Sequence, residues 1–530
     1  MRLLSRSRSV PFLAAAVAGV LLVGSAGVPS QADSDEPVAD PVVGSFVDPT
    51  ADPGTPAEVA EESLAAAEDL VAGESTEDPT LVLNQLSQTL DDLPDADQRR
   101  AERILARPTD GNDPEDELLT YTVPEAAPYC LGNVCVHYVA TTGDAPPMAD
   151  SDTDGIPDWV DQTARVMGTV WNREVTELGY RAPLPDRGTA PAGTGNDEGP
   201  DSALDVYLGN IGRNGYYGYA ATDRTSPRTS SAYLVLDDDF VGFPGTATPE
   251  QLLRVTAAHE FFHIVQFAYD QYEDGWFMEA TATWMEERVY DSVNDNRQYL
   301  PASAMELPGR SLDYPLTTST AYGNWIFFEF LGSRFGSGVV RSMWSRAATD
   351  GVYSTVAISR TLAAAGTGLR AQFAGFAAAN LYPARRYAEG RYYRRPPVAA
   401  TYTLSSSKPG TGSRTTRLNH LAAHSYAFTA GSSLTGSRRV RISVNGPSGI
   451  SGAVAIVSRA DRTLTVKQVR LNASGNGSLP LPFSRSSVTR VTLTVANTSV
   501  RYICGAGSYS CSGSARDQNK PFTFSATAIR

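Results

Sequence analysis

Residues 257–266 read "AAHEFFHIVQ", and two of the five histidines in this 530-residue chain stand here, four apart, around a glutamate. Residues four apart lie on one face of an α-helix, so His259 and His263 present two imidazoles to one ion, with Glu260 beside the first. The flanking Leu252, Leu253, Val255, Phe261, Phe262, Ile264, Val265 and Phe267 make this an apolar helix over roughly 250–271. Two readings compete: a zinc-hydrolase site, or a core helix that buries two histidines.

A hydrolytic zinc site takes three protein ligands and keeps one position open. After the short connection "AYDQYEDG", the segment "GWFMEATATWMEE" (275–287) places Glu279 sixteen residues beyond His263. It opens a second helix over 276–291, flanked by Trp276, Ala280, Ala282 and Trp284. Small residues there allow two helices to approach closely, which lets the carboxylate reach back to the ion. Asp270, Glu273 and Asp274 are rival donors in the turn, and Glu286 and Glu287 read as solvated charges at the far end. No third histidine follows at the H-E-x-x-H-x-x-G-x-x-H spacing, which argues against a metzincin. Glu260, adjacent to the first ligand, is placed to act as general base on the attacking water.

A second metal motif is "DSDTDGIPDWVD" (150–161). Asp150, Asp152 and Asp154 fall at loop positions 1, 3 and 5, Gly155 at the turn, Ile156 at 7 with its backbone carbonyl, and Asp158 and Asp161 at 9 and 12. This spacing predicts a structural calcium site, with Asp161 in place of the usual glutamate. The apolar stripe Trp159, Val166, Val170 and Leu178 behind it predicts a core helix that the ion would pin.

Around these motifs the chain divides by texture. Arg2, Arg6 and Arg8, an apolar run from Pro11 to Val28, and Ser30-Gln31-Ala32 read as a secretory signal over 1–32; an uncleaved membrane anchor is the alternative. Residues 33–118 are acidic, first Asp/Pro-rich and then helical, and read as a pro-segment or an N-terminal subdomain. They hold no cysteine, so any block they impose on a metal site would be steric or electrostatic. Residues 119–397 mix strands ("VCVHYVAT", "ALDVYLGNIG", "AYLVLDDDF") with helices. His137, in the first of these strands, reads as a packed histidine, and "SAYLVLDDDF" is either an edge strand for an extended substrate or an ordinary core strand. Residues 398–530 are Ser/Thr/Gly-rich with short alternating runs, as in an antiparallel β-sandwich. The fold class is therefore α+β, a catalytic domain followed by a β-domain.

Four cysteines form two sequence-local pairs, Cys130/Cys135 and Cys504/Cys511, which favours two disulfides and an exported, extracellular protein. No segment after the signal is long and apolar enough to span a membrane. The net charge of −15 is asymmetric: residues 33–120 carry 24 acids against 4 arginines, while residues 400–530 carry only Asp461 and Asp517 against 16 basic residues. The basic C-terminal domain would suit an anionic cell-wall polymer, an acidic substrate or the chain's own acidic N-terminus. It lacks an aromatic-interleaved nucleic-acid motif. The absence of G-x-S-x-G, a Walker loop and G-x-G-x-x-G leaves a serine hydrolase and nucleotide chemistry without support.

Taken together, "AAHEFFHIVQ", "WFMEATATWMEE" and the later "AYGNWIFFEFLGSRFG" resemble the gluzincin, peptidase-MA-type zinc metallopeptidases, and more narrowly a group of secreted bacterial metalloproteases with a C-terminal β-domain. The resemblance covers roughly residues 120–530. It implies a zincin-like catalytic domain with a mostly helical C-terminal half, zinc on His259, His263 and Glu279, Glu260 as base, and a protein or peptide substrate. By the same analogy Tyr322 would stabilise the oxyanion. A surface-binding protein with a structural metal and a zinc hydrolase of cell-wall peptides are the alternatives. His420 and His424 repeat the four-residue spacing without a glutamate and read as structural or surface histidines.

Overall fold

In "ALDVYL" and "AYLVLD" nearly every residue is apolar, so the pleat has something to bury on both faces. In the computed structural model these are β3 and β5 of a mixed sheet. The described residues are 55–75, 77–109, 118–185, 203–223, 228–313, 319–504 and 513–530. The expected signal peptide and the Asp/Pro-rich stretch after it lie outside them, and so does the Cys504–Cys511 pairing.

The chain enters through α1 (Pro56–Val71), α2 (Pro79–Thr89) and α3 (Asp95–Ile104). Thr55 and Glu58 form a capping box and Pro56 occupies the first turn of α1, while the Asp78 carboxylate caps α2. There follow β1 (Tyr129–Leu131), β2 (Val134–His137), α4 (Asp158–Trp171), β3 (Leu204–Gly209), β4 (Gly218–Thr222) and β5 (Ala232–Asp237). Cys130 and Cys135 are disulfide-bonded across the β1–β2 hairpin. The strand order is β1-β2-β3-β5-β4, with β2–β3 and β3–β5 parallel and the outer pairs antiparallel. Of the two readings of "SAYLVLDDDF", the core strand holds and the substrate edge does not: β5 is interior, and β4 is the edge on its side of the sheet.

The alternation along the strands sorts the two faces. Val206, Leu208, Leu234 and Leu236 share one core with α4 and α5 (Pro249–Phe267). Tyr207, Tyr233 and Val235 point the other way and, with Tyr219, join Leu64, Leu83, Leu86 and Ile104 of α1–α3 in a second core. At roughly 1.5–3 kcal/mol for each large side chain buried, the N-terminal helices are held firmly to the sheet. Arg107, just beyond α3, adds an ion pair to Asp205 of β3 and another, at 3.0 Å, to Asp223. Asp205 also meets His137 at 3.1 Å, and Glu125 takes the other ring nitrogen at 3.1 Å, so His137 belongs to a buried charged network.

Beyond α5 come α6 (Gly275–Tyr290), α7 (Thr320–Gly323), α8 (Trp325–Phe335), α9 (Gly338–Asp350), α10 (Ser354–Ala364) and α11 (Leu369–Ala379). The C-terminal part is a β-sandwich. One sheet has β6 (Ala400–Leu404), β8 (Ala423–Ala430), β10 (Ser451–Arg459), β11 (Leu464–Gln468) and β13 (Val488–Asn497). The other has β7 (Arg414–Leu418), β9 (Arg439–Asn445), β12 (Asn476–Pro482) and β16 (Lys520–Ile529); β14 (Tyr502–Cys504) and β15 (Gly513–Ala515) pair separately. Phe428, Val491, Val440 and Phe524 fill the space between the two large sheets. The expectation of an antiparallel sandwich needs one correction, because β6 runs parallel to β8.

The sandwich and the helical part share a core, in which Val454, Ile456 and Ala496 meet Phe373, Ala374 and Ala377 of α11. A buried polar node reinforces it: Asp313 Oδ2 accepts hydrogen bonds from Tyr353, Tyr502 and His420 at 2.8, 2.9 and 2.9 Å. His424 instead meets the Thr416 hydroxyl at 2.9 Å. Among the described residues no helix is long and apolar enough to cross a membrane.

Candidate metal centre

Helix α5 starts at a capping box of Thr248 and Gln251, with Pro249 in its first turn, and is buried around its whole circumference from Val255 onward. It runs between the sheet, α4 and α6, so His259, Glu260 and His263 are all buried. Glu279, near the start of α6, has no exposed surface. One ligating atom from each of His259, His263 and Glu279 lies within 4.8 Å of the others. His259 Nε2 is 3.1 Å from Glu279 Oε2, and His263 Nε2 is 3.4 Å from Glu279 Oε1. The rival donors of the turn have other partners: Asp270 pairs with Arg228, Glu273 accepts from the Asp274 amide at 2.8 Å, and Asp274 accepts from the Ser354 amide.

The outer hydrogen bonds fix which ring nitrogens face the ligand cluster. Gln266 Nε2 donates to the Met278 carbonyl at 2.8 Å, so its Oε1 is the atom 2.8 Å from His263 Nδ1, and that nitrogen must carry the proton. Glu286 Oε1 likewise receives His259 Nδ1–H at 2.8 Å. In neutral rings both Nε2 atoms would then turn lone pairs toward one carboxylate. Lone pairs facing lone pairs repel unless a proton or a cation lies among them. His263 Nε2 and Glu279 Oε1, both buried, have no hydrogen-bond partner among the described residues. Burial disfavours the charged His259 ring, yet Glu279 and Glu286 hold its pKa well above the ordinary value. Burial also works against the Glu279 carboxylate, but His263 and His259 bring its pKa down to about 2. This is an electrostatic environment that favours added positive charge. Donors each about 2.1 Å from a single tetrahedral ion stand about 3.4 Å apart, so the separations fit zinc.

Glu286 is a correction to the sequence reading: it is buried against His259 and is not a solvated charge, and Glu287 is buried as well, bonded to Asn296. Glu260 borders a cavity of about 620 Å³ lined also by His259, Tyr217, Tyr299 and Tyr322. Burial raises its carboxyl pKa, against the pull of His259 and His263. Edge strand β4 comes close at Gly218, where a Cβ would stand 2.9 Å from Thr256 and 3.1 Å from Glu260 Cγ, so a side chain there would press on the candidate base. The Tyr322 ring stacks on His259 at 5.7 Å between centroids. Its hydroxyl donates to Asp78, a residue of the N-terminal segment. Burial and the nearby Glu279 and Glu260 push the Asp78 carboxyl up to about 7.

In the acidic loop the structure gathers the carboxylates of Asp150, Asp152 and Asp158. Gly155 takes φ +93°, the left-handed conformation that the turn requires. The expected calcium set is only partly assembled. Asp161 pairs with Arg165 one turn further along α4, and Asp154 accepts from the Ile156 amide at 2.8 Å.

A sequence profile described as "Family of unknown function (DUF6055)" matches residues 238–389, the span that holds α5, α6 and Tyr322. None of the curated proteins matches the chain. Among solved structures, "A novel family GH115 4-O-Methyl-alpha-glucuronidase, BtGH115A, with specificity for decorated arabinogalactans" aligns at 8% identity and a TM-score of 0.14. That alignment covers 53% of this chain and 38% of the glucuronidase, and at this TM-score it bears on neither fold nor chemistry.

Proposed function

We propose that the chain is a zinc-dependent endopeptidase, exported from the cell, with His259, His263 and Glu279 as zinc ligands. The observation that carries this is the pair of Nε2 atoms converging on one buried carboxylate, with an acceptor oxygen on each Nδ1. Zinc, when bound there, would polarise a peptide carbonyl and acidify a water. Glu260, buried at the cavity wall with its pKa raised, would take the proton of the attacking water and return it to the leaving amine. Glu286 and Gln266 would hold the two imidazoles in the ligating tautomer. Tyr322, stacked on His259 at the cavity wall, would donate to the developing oxyanion. Calcium on Asp150, Asp152 and Asp158 would brace the start of α4.

The test is zinc content and casein hydrolysis of the purified protein before and after chelation. One zinc per chain is expected, with hydrolysis abolished by chelation and restored by zinc. Hydrolysis that survives complete zinc removal would overturn the assignment.

A further inference from the structure

Residues 78–80, at the start of α2, meet three separate parts of the candidate site. Thr80 Oγ1 donates to Glu260 Oε2 at 3.0 Å and accepts from the Ala220 amide of β4 at 2.9 Å. The single hydroxyl thus engages both the base and the edge strand. Asp78 accepts a hydrogen bond from the Tyr322 hydroxyl. Ser75, Glu77 and Pro79 line the same cavity. Behind them, Asn84 and Gln88 donate to the Gln271 carbonyl at 2.8 and 2.5 Å, latching α2 to the turn between α5 and α6.

An extended peptide that binds a sheet edge does so through the edge strand's backbone amides and carbonyls. Here Ala220 N–H, an edge group close to Glu260, already has a partner in Thr80. The groups that must turn to water and to an oxyanion, Glu260 and Tyr322, are hydrogen-bonded to the same three-residue stretch. Asp78 suits the role by geometry, since it occupies the Tyr322 hydroxyl that would otherwise donate to an oxyanion. The core shared by α1–α3 and the sheet keeps the stretch seated.

We infer that residues 78–80 form an intrachain plug, so that the chain with α1–α3 in place is autoinhibited and peptide hydrolysis requires α2 to lift. This rests on the zinc-peptidase proposal above. It gives the acidic N-terminal region a regulatory task, with hydroxyl and carboxylate groups doing the blocking and no thiol involved.

The test compares the full chain with its Asp78→Ala/Thr80→Val variant, both zinc-loaded, by casein hydrolysis and by binding of a peptide hydroxamate. The expected result is a rise in kcat/KM of at least about ten-fold and a comparable tightening of hydroxamate binding. Should that variant fold poorly, Asn84→Ala/Gln88→Ala unlatches α2 without touching the site and is expected to move both readouts the same way. Lower or unchanged hydrolysis with unchanged hydroxamate binding, at full zinc content, overturns the plug and leaves the zinc site standing. Zinc absent from every variant overturns both, and the stoichiometry alone tells the two failures apart.

Discussion

Glu260→Gln is expected to retain zinc and lose hydrolysis, with kcat on casein lower by about 10²–10⁴-fold, the usual contribution of a positioned general base. Glutamine is nearly isosteric, and its amide oxygen still accepts from the Thr80 hydroxyl that now meets Glu260 Oε2. Its nitrogen, however, cannot take a proton from water. None of the three ligand contacts runs through Glu260. Zinc content measured beside casein hydrolysis separates loss of the base from loss of the metal. Full zinc with undiminished hydrolysis would remove Glu260 from the role.

Glu279→Ala is expected to act on the metal itself. The carboxylate faces both imidazoles, at 3.1 and 3.4 Å, and without it two neutral nitrogens remain in a buried site. Zinc should fall well below one per chain under conditions that saturate the unsubstituted protein, with hydrolysis lost alongside it. Glu286→Ala is the informative comparison. It removes the acceptor of His259 Nδ1–H and leaves every ligand in place, so a weakening of zinc affinity by about 10–100-fold is expected, read by competition with a chelator. Equal zinc affinity in the Glu279 variant and the unsubstituted chain would exclude Glu279 as a ligand.

What could be read from the sequence was mostly local. His259, Glu260 and His263 follow from helical spacing, and Glu279 from its place among small residues in the next helix. Glu286 carried a usable signal that the sequence reading missed. It lies seven residues after Glu279, two helical turns along the same face, and His259 meets both carboxylates, one on each ring nitrogen. Asp161 carried another, since Arg165 stands at i+4 and competes for its carboxylate. Asp78 and Thr80 could not be found this way, because Thr80 meets Glu260 across 180 residues of chain and only the tertiary fold joins them. That the sequence left β5 open between edge and core has a related cause. The apolar run of β5 looks like any buried strand, and its neighbours were set by β4 folding back antiparallel outside it. The doubly apolar pattern of β3 and β5 carried a further unused signal, that something must cover the second face, and α1–α3 do.

The most direct measurement is anomalous diffraction at the zinc edge from crystals of the zinc-loaded full chain. A peak is expected within about 2.2 Å of His259 Nε2, His263 Nε2 and a Glu279 oxygen, with a coordination position not filled by protein. A peak elsewhere, or an ion closed by a fourth protein ligand, would contradict the zinc-peptidase proposal.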